Sequence, residues 1–257
     1  MSGLRIHIRE KRFDGAPVLG ECTIDAAPGE FIALVGPSGS GKSTLLSLVA
    51  GLDADYDGDI TWNGAPLSAV GESPAHMGMM FQEPRLMPWL NALDNVRLAE
   101  AERVAREPGY QSNAPRLLEE VGLGEAQHVW PNHLSGGMQR RVALARAFVV
   151  EPQLLLMDEP FSRLDAETRT AMHQQILDLR VRLGTTVLMV THDVEEAVVL
   201  ADEITVLAPN PGRIAAEVSL HARLADTGEL RDGTDPDVVE TMRELKARLK
   251  ETTAAAD

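Results

Sequence analysis

The sequence predicts an α/β fold: a mostly parallel sheet, an antiparallel β subdomain near the start, and an α-helical subdomain inserted between core strands. Three observations predict it. Apolar strand-like runs alternate with helical stretches along most of the chain, which implies a parallel sheet covered on both faces. The opening residues instead show short strands punctuated by turn signals. From about Arg85 to Leu134 the strand pattern gives way to helical periodicity.

The elements follow in order. Leu4-Arg5-Ile6-His7-Ile8-Arg9 alternates apolar and polar residues, as a half-buried strand does. Val18 to Ile24 reads as a second strand, and Ala27-Pro28-Gly29 turns the chain into the apolar run Phe31 to Val35. Ile60-Thr61-Trp62 is a short strand between the turn signals Asp57-Gly58 and Asn63-Gly64. His76 to Phe81 is a further strand. In the helical insertion, Asp94 to Val104 and Arg116 to Val121 read as helices, separated by loops containing Pro108-Gly109 and Asn113-Ala114-Pro115. Ser135-Gly136-Gly137 opens a helix to about Val150, with Met138, Val142 and Ala145 on one face. Leu154 to Met157 is a buried strand, and the next helix carries the stripe Met172, Ile176, Leu179 and Leu183. Thr186 to Val190 is a β-branched strand and Val194 to Ala201 a short helix. Glu203 to Leu207 and Arg213 to Val218 form a hairpin around Asn210-Pro211-Gly212. In the tail, Asp235-Pro236 starts a short helix bearing Val238, Val239, Met242, Leu245 and Leu249, and Ala254-Ala255-Ala256-Asp257 is expected to fray.

Composition narrows the function. The chain has 257 residues, 44% of them apolar but only 4% aromatic, so its core is aliphatic and alanine-rich. A single cysteine, Cys22, leaves no internal disulfide framework and suits a reducing compartment. There is no apolar run of the ~20 residues that a membrane-spanning helix needs, and Met1 to Arg5 shows no signal-peptide apolar region. A cytoplasmic protein is expected. A formal charge of −15 argues against nucleic acid as a partner.

The chemistry starts at Gly36-Pro37-Ser38-Gly39-Ser40-Gly41-Lys42-Ser43, which fits the phosphate-loop pattern G-x-x-x-x-G-K-[ST] between an apolar strand and an apolar helix. Its glycines let backbone N–H groups converge on an anion, and the helix start adds partial positive charge. Lys42 is placed to reach the β- and γ-phosphates, and the Ser43 hydroxyl to sit on Mg²⁺. The core this motif implies resembles that of the P-loop NTPases, of the RecA-like kind. Leu154 to Met157 then ends in Asp158-Glu159. Asp158 is placed to hold Mg²⁺ through its water shell and Glu159 to poise the attacking water. Leu134-Ser135-Gly136-Gly137-Met138-Gln139 is a second anion-binding helix start, with a hydroxyl, bare backbone and a helix dipole. A guanine-specific Asn-Lys-x-Asp run is absent, which favours ATP over GTP.

These three motifs together resemble the ATP-binding subunits of ABC transporters, over nearly the whole chain from Leu4 to about Val218. The resemblance implies an ATP-binding unit over 1–220 with its helical insertion at about 85–134, and a C-terminal extension over 221–257. It implies that the nucleotide is held by residues 36 to 44, ending at Thr44, and that Phe13 stacks on adenine, where the family more often has tyrosine. It implies a head-to-tail homodimer in which Ser135, Gly137 and neighbouring Gln139 grip the γ-phosphate bound to the other subunit's Lys42. It assigns His192, within Val190-Thr191-His192-Asp193, to the γ-phosphate, with Lys42 and Glu159 as its catalytic companions. Gln82 is assigned to Mg²⁺ or water and to communication with a membrane partner. Ser162-Arg163-Leu164-Asp165 occupies the place of the family's D-loop. Asp165 fits it, whereas Arg163 stands where a small residue is usual.

Within the family, Gln82 to Trp89, Asp94-Asn95-Val96 and Thr191 to Ala197 are similar to importers of nitrate, sulfonates, taurine and related compounds. The implied partners are a second copy of the chain, permease subunits and a substrate-binding protein, and the implied location is the inner face of the cell membrane. Leu86, Met87 and Trp89 are expected to line a groove for a cytoplasmic helix of the permease. The ATPase of an exporter or lipid transporter, and an ABC ATPase without a transport role, remain open as alternatives.

Overall fold

The computed structural model describes residues 3–67, 76–107, 109–220 and 230–254. The predicted Pro108 turn, the 221–229 part of the tail loop and the terminal residues 255–257 lie outside the described residues.

The chain opens with β1 (Leu4–Phe13), β2 (Ala16–Leu19), β3 (Cys22–Ala26), β4 (Phe31–Val35) and α1 (Lys42–Val49). β1 buries Leu4, Ile6 and Ile8 while Arg5 faces out, as its alternation predicts. Its first half pairs antiparallel with β3 and with β5 (Asp57–Trp62), and its second half pairs with β2. The expected single strand over Val18 to Ile24 is two strands, broken at Gly20-Glu21. There the chain turns to bond the later segment: the Gly20 N–H donates to Gly212 O (2.8 Å) and the Gly212 N–H to Val18 O (2.8 Å).

Asp57-Gly58 is also not a turn but the start of β5. Gly58 has φ 147°, and a Cβ there would lie 2.2 Å from His7 O, so only glycine lets β5 follow β1 past the irregularity between Ile8 and Glu10. The Asn63-Gly64 turn is present, with φ of 51° and 80°, and returns the chain into β6 (Ala65–Pro66).

The core sheet adds β7 (Met77–Met80), β8 (Leu154–Asp158), β9 (Thr186–Thr191), β10 (Glu203–Ala208) and β11 (Arg213–Ser219). Its order is β11-β10-β4-β9-β8-β7, parallel except for the β10–β11 hairpin. Alternation along the strands divides the core between two faces. Phe31, Ala33, Leu155, Met157, Val187 and Met189 face the larger helices, while Ile32, Leu34, Leu154, Leu156, Leu188 and Val190 face α1 and the antiparallel sheet. All six residues of β9 are buried, which explains its unbroken apolar and β-branched composition.

The inserted region holds α2 (Ala92–Arg97), a 3₁₀ turn (Leu98–Glu100), α3 (Ala101–Arg106) and α4 (Ala114–Glu120). The single helix expected over Asp94 to Val104 is thus interrupted. Glu100 is buried at the interruption and accepts from the Tyr110 hydroxyl (2.7 Å), the Ser112 hydroxyl and the Asn113 N–H (3.0 Å), which ties it to the following loop. α5 (Gly136–Phe148), α6 (Ala166–Leu183) and α7 (Val194–Leu200) cover the sheet. The expected short tail helix is α8, 19 residues from Pro236 to Ala254, and its Val238, Met242 and Leu245 join the core.

Candidate nucleotide site

Parallel pairing puts the carboxyl ends of β4, β7, β8 and β9 along one edge of the sheet. Val35 stands beside Thr191, Asp158 beside Val190 and Met80 beside Met157. Ligands of open α/β sheets bind at this edge, and four of the predicted motifs leave the sheet here.

The first is the phosphate loop. Gly36 admits no side chain, because a Cβ would lie 2.6 Å from Leu207 O. Gly41 has φ 87°, and a Cβ there would meet Leu19 Cδ2 at 2.4 Å. Gly41 is also the N-cap of α1, so no side chain caps this helix. The caps of α5, α6 and α7, by contrast, are the side chains of Ser135, Asp165 and Asp193. The first N–H groups of α1 therefore carry no side-chain cap, an arrangement that can cradle an anion. Lys42 is buried and donates to Gly36 O (2.8 Å) and Pro37 O (2.9 Å). Burial pushes its ammonium below the ordinary lysine value, with the Glu159 and Asp158 charges acting the other way. Its hydrogen-bonding acceptors are neutral oxygens, so a bound anion would complete its charge balance.

The second is the acidic pair. The Ser43 hydroxyl donates to Asp158 Oδ1 at 3.1 Å, across 115 residues of chain. Burial pushes the Asp158 carboxyl up from its ordinary value, the Ser43 hydrogen bond acts against that, and the Glu159 charge adds to it. Glu159 takes φ 43°, a left-handed conformation costly for a side-chain-bearing residue and typical of functional turns. Its N–H donates to Val190 O (2.9 Å), which fixes the turn to β9. From the other two motifs, Gln82 Nε2 donates to Glu159 Oε2 (3.0 Å) and His192 Nδ1 lies 3.1 Å from Glu159 Oε1. Lys42, Ser43, Gln82, Asp158, Glu159 and His192 are thereby one neighbourhood.

The remaining predicted residues make their bonds elsewhere. Ser135 Oγ accepts from Met138 N at 3.2 Å as the cap of α5, and Gln139 Nε2 donates to Pro131 O (2.8 Å) and Leu134 O (3.3 Å). Gly137 packs tightly, with a notional Cβ 3.0 Å from Thr168 Cγ2. Asp165 caps α6 through Thr168 N (2.9 Å). Phe13 is half exposed, and Lys11 Nζ lies over its ring, 4.5 Å from the centroid. Arg163 takes φ 65° and lines a cavity of about 440 Å³ with Gln82, Arg85, Gln139 and Arg140.

The loop after Gln82 leaves Trp89 68% exposed, with Leu86 and Met87 half buried. Asn95, fully buried in α2, pins that loop. Its amide accepts from Met87 N (2.7 Å) and donates to Leu90 O (2.9 Å) and Asn91 O (3.0 Å). Sequence reasoning gave Asn95 no such role, and it also passed over Arg140, which is buried and bonded to three loop carbonyls. No sequence signal marks Arg140, since an arginine on a helix reads as a solvated charge.

The chain is similar to several known proteins. Residues 19–162 match the family described as ABC transporter. The aliphatic sulfonates import ATP-binding protein SsuB 2 of Burkholderia lata is 45% identical over 246 residues, covering 96% of this chain and 84% of that protein. The aliphatic sulfonates import ATP-binding protein SsuB of Bacillus subtilis is 42% identical, over 84% of each chain. A solved ATP-binding cassette, in a dimeric post-hydrolysis state bound to ADP and Pi, matches with a TM-score of 0.72 at 29% identity, covering 84% of this chain and 98% of that one. A P-loop core with these six residues at one sheet edge, in a chain so close to import ATP-binding proteins, belongs to the ABC transporter family as one of its ATP-binding subunits.

Proposed function

We propose that this ATPase subunit powers uptake of aliphatic sulfonates or closely related small organic anions through a separate permease. The ATP-binding unit is taken as 1–220, with its helical insertion at about 85–134, and 221–257 as an extension. The sulfonate assignment rests on the relatives named above, whose matched regions span most of this chain.

The observation that carries the hydrolytic reading is the bracketing of Glu159 by Gln82 and His192, beside the Ser43–Asp158 contact. In this reading the 36–44 backbone and Lys42 bind the ATP phosphates. Glu159 accepts the proton of the attacking water, while Gln82 and His192 hold its carboxylate in place. The Ser43 hydroxyl, the Asp158 carboxylate and the Gln82 amide are hard oxygen donors suited to Mg²⁺, which when bound neutralises phosphate charge. Among the described residues no group of three or more His, Cys, Asp or Glu side chains could cage a metal. Mg²⁺ needs none, because it keeps waters and uses the substrate's phosphates.

Ser135, Gly137, Gln139 and Asp165 lie outside the Glu159 hydrogen-bond cluster, which supports the reading that they serve the nucleotide of a second copy. The exposed Trp89 loop supports permease docking, with a substrate-binding protein completing the system. Among the described residues no helix is long and apolar enough to cross a membrane, so the subunit's proposed place on the inner membrane face depends on that docking.

Glu159→Gln tests the hydrolytic reading. ATP binding is expected to persist while turnover falls by about 100-fold or more. Near wild-type turnover would move the catalytic role elsewhere. Uptake of a labelled alkanesulfonate by a strain lacking the protein tests the substrate: uptake is expected to be lost and restored by the intact gene.

A further inference from the structure

Helix α5 does more than present Ser135 at its start. Its Arg140 is 7% exposed, and among the described residues no carboxylate pairs with it. Instead the guanidinium is spent on backbone: Nη1 donates to Gln82 O (3.0 Å) and Pro160 O (2.8 Å), and Nη2 to Ser162 O (2.5 Å). Gln82 and Pro160 flank Glu159 from two separate loops, one bonding to it and the other following it in the chain. Six residues along the same helix, Arg146 donates to Pro84 O (2.7 Å) and Arg85 O (2.9 Å). α5 therefore grips both the 82–85 segment and the 160–162 segment at both of their ends.

Burying a guanidinium against neutral carbonyls is costly, and it is repaid only if all three acceptors stay in place. The fork geometry matters, because a planar guanidinium can hold three carbonyls in fixed relative positions and a lysine ammonium on a thinner stem cannot.

We propose that Arg140 is a positioning residue for hydrolysis. It locks the Gln82 loop and the 160–162 loop to one helix, so that Gln82 and Glu159 keep their mutual geometry and move with α5 as a unit. Displacement of the Ser135 end of α5 then reaches the catalytic carboxylate without any contact between Ser135 and Glu159. The proposal rests on the hydrolytic reading of Glu159 and Gln82 given above.

The test compares Arg140→Ala, Arg140→Lys and Glu159→Gln in the full chain. For Arg140→Ala, kcat is expected to fall about 100-fold and KM for ATP to change by less than about threefold, the split that marks a loss confined to the transition state. Arg140→Lys is expected to fall by about tenfold. Millimolar guanidinium, entering the space left by Arg140→Ala, is expected to restore part of kcat without affecting Arg140→Lys. If Arg140→Ala does not fold, Arg140→Lys alone is read by the same split. Wild-type kcat in the folded Arg140 variants overturns the proposal. So does a parallel loss of ATP binding and thermal stability with no rescue, which is a purely structural role. If instead Glu159→Gln keeps full turnover, the underlying site reading fails, whatever Arg140 does.

Discussion

The Nδ1 of His192 lies 3.1 Å from Oε1 of Glu159, joining the ends of two neighbouring parallel strands through their side chains. The His192 side chain is 63% exposed, so it contributes little to packing. His192→Ala is therefore expected to leave stability within about 0.5 kcal/mol of wild type and to lower ATP turnover by roughly 10- to 100-fold. Thermal unfolding and steady-state phosphate release measured side by side check both halves.

Ser135→Arg is expected to keep ATP binding to the single chain and to remove hydrolysis, since Ser135 is assigned to a partner's nucleotide. An equal mixture with Lys42→Ala, which is itself expected to be inactive, then builds some pairs with one intact composite site. Independent sites would give about a quarter of wild-type turnover, because half the pairs are mixed and each has one good site. No recovery in the mixture, with wild-type mixtures active, would remove the simplest support for the shared site.

Trp89 and Asn95 separate docking from folding. Trp89→Ala removes an exposed ring and is expected to leave the melting temperature and the isolated subunit's ATPase unchanged, while permease co-purification and transport fall. Asn95→Ala strips the amide from Met87 N and from the Leu90 and Asn91 carbonyls. It is expected to cost about 2 kcal/mol, the scale of leaving buried polar groups unpaired, and to lose docking as well. If Trp89→Ala unfolds the protein or leaves co-purification intact, the loop is not the docking surface.

Two buried groups near β9 give opposite pH dependences. Burial pushes the Glu196 carboxyl up to about 7, although the Thr191 hydroxyl donates to it at 2.6 Å. Burial pushes the His173 imidazole down to about 4, with Arg169 adding to it. Folded Glu196 holds its proton where the unfolded chain has released it, so its contribution to stability is lost as pH rises from about 4.5 to about 7. Folded His173 is neutral where the unfolded chain is charged, so its contribution grows from about pH 4 to about 6.5. Each is on the order of 3 kcal/mol. In wild type they largely offset between pH 4.5 and 6.5. Urea unfolding of Glu196→Gln across that range is expected to show stability rising with pH, and His173→Phe to show it falling. Two parallel flat profiles would refute the assignment.

The sequence by itself determined the nucleotide chemistry. Residues 36 to 43 and the Asp158-Glu159 pair are local patterns whose spacing carries their function, and parallel strands bring the ends of such segments to one edge. Gln82 and His192 were legible only through the resemblance to the family, because a lone glutamine or histidine at a strand end carries no signal of its own. Only the tertiary structure decided which charges are buried and what they hold. Arg140 and Asn95 look like ordinary helix-surface residues until the loops of 82–91 and 160–162 pack over them. Gly58 looks like a turn until β1 passes 2.2 Å from where its Cβ would be, and Val18 to Ile24 looks like one strand until Gly212 bonds across it. A motif is written in neighbouring residues, whereas burial depends on which distant segment arrives above a side chain.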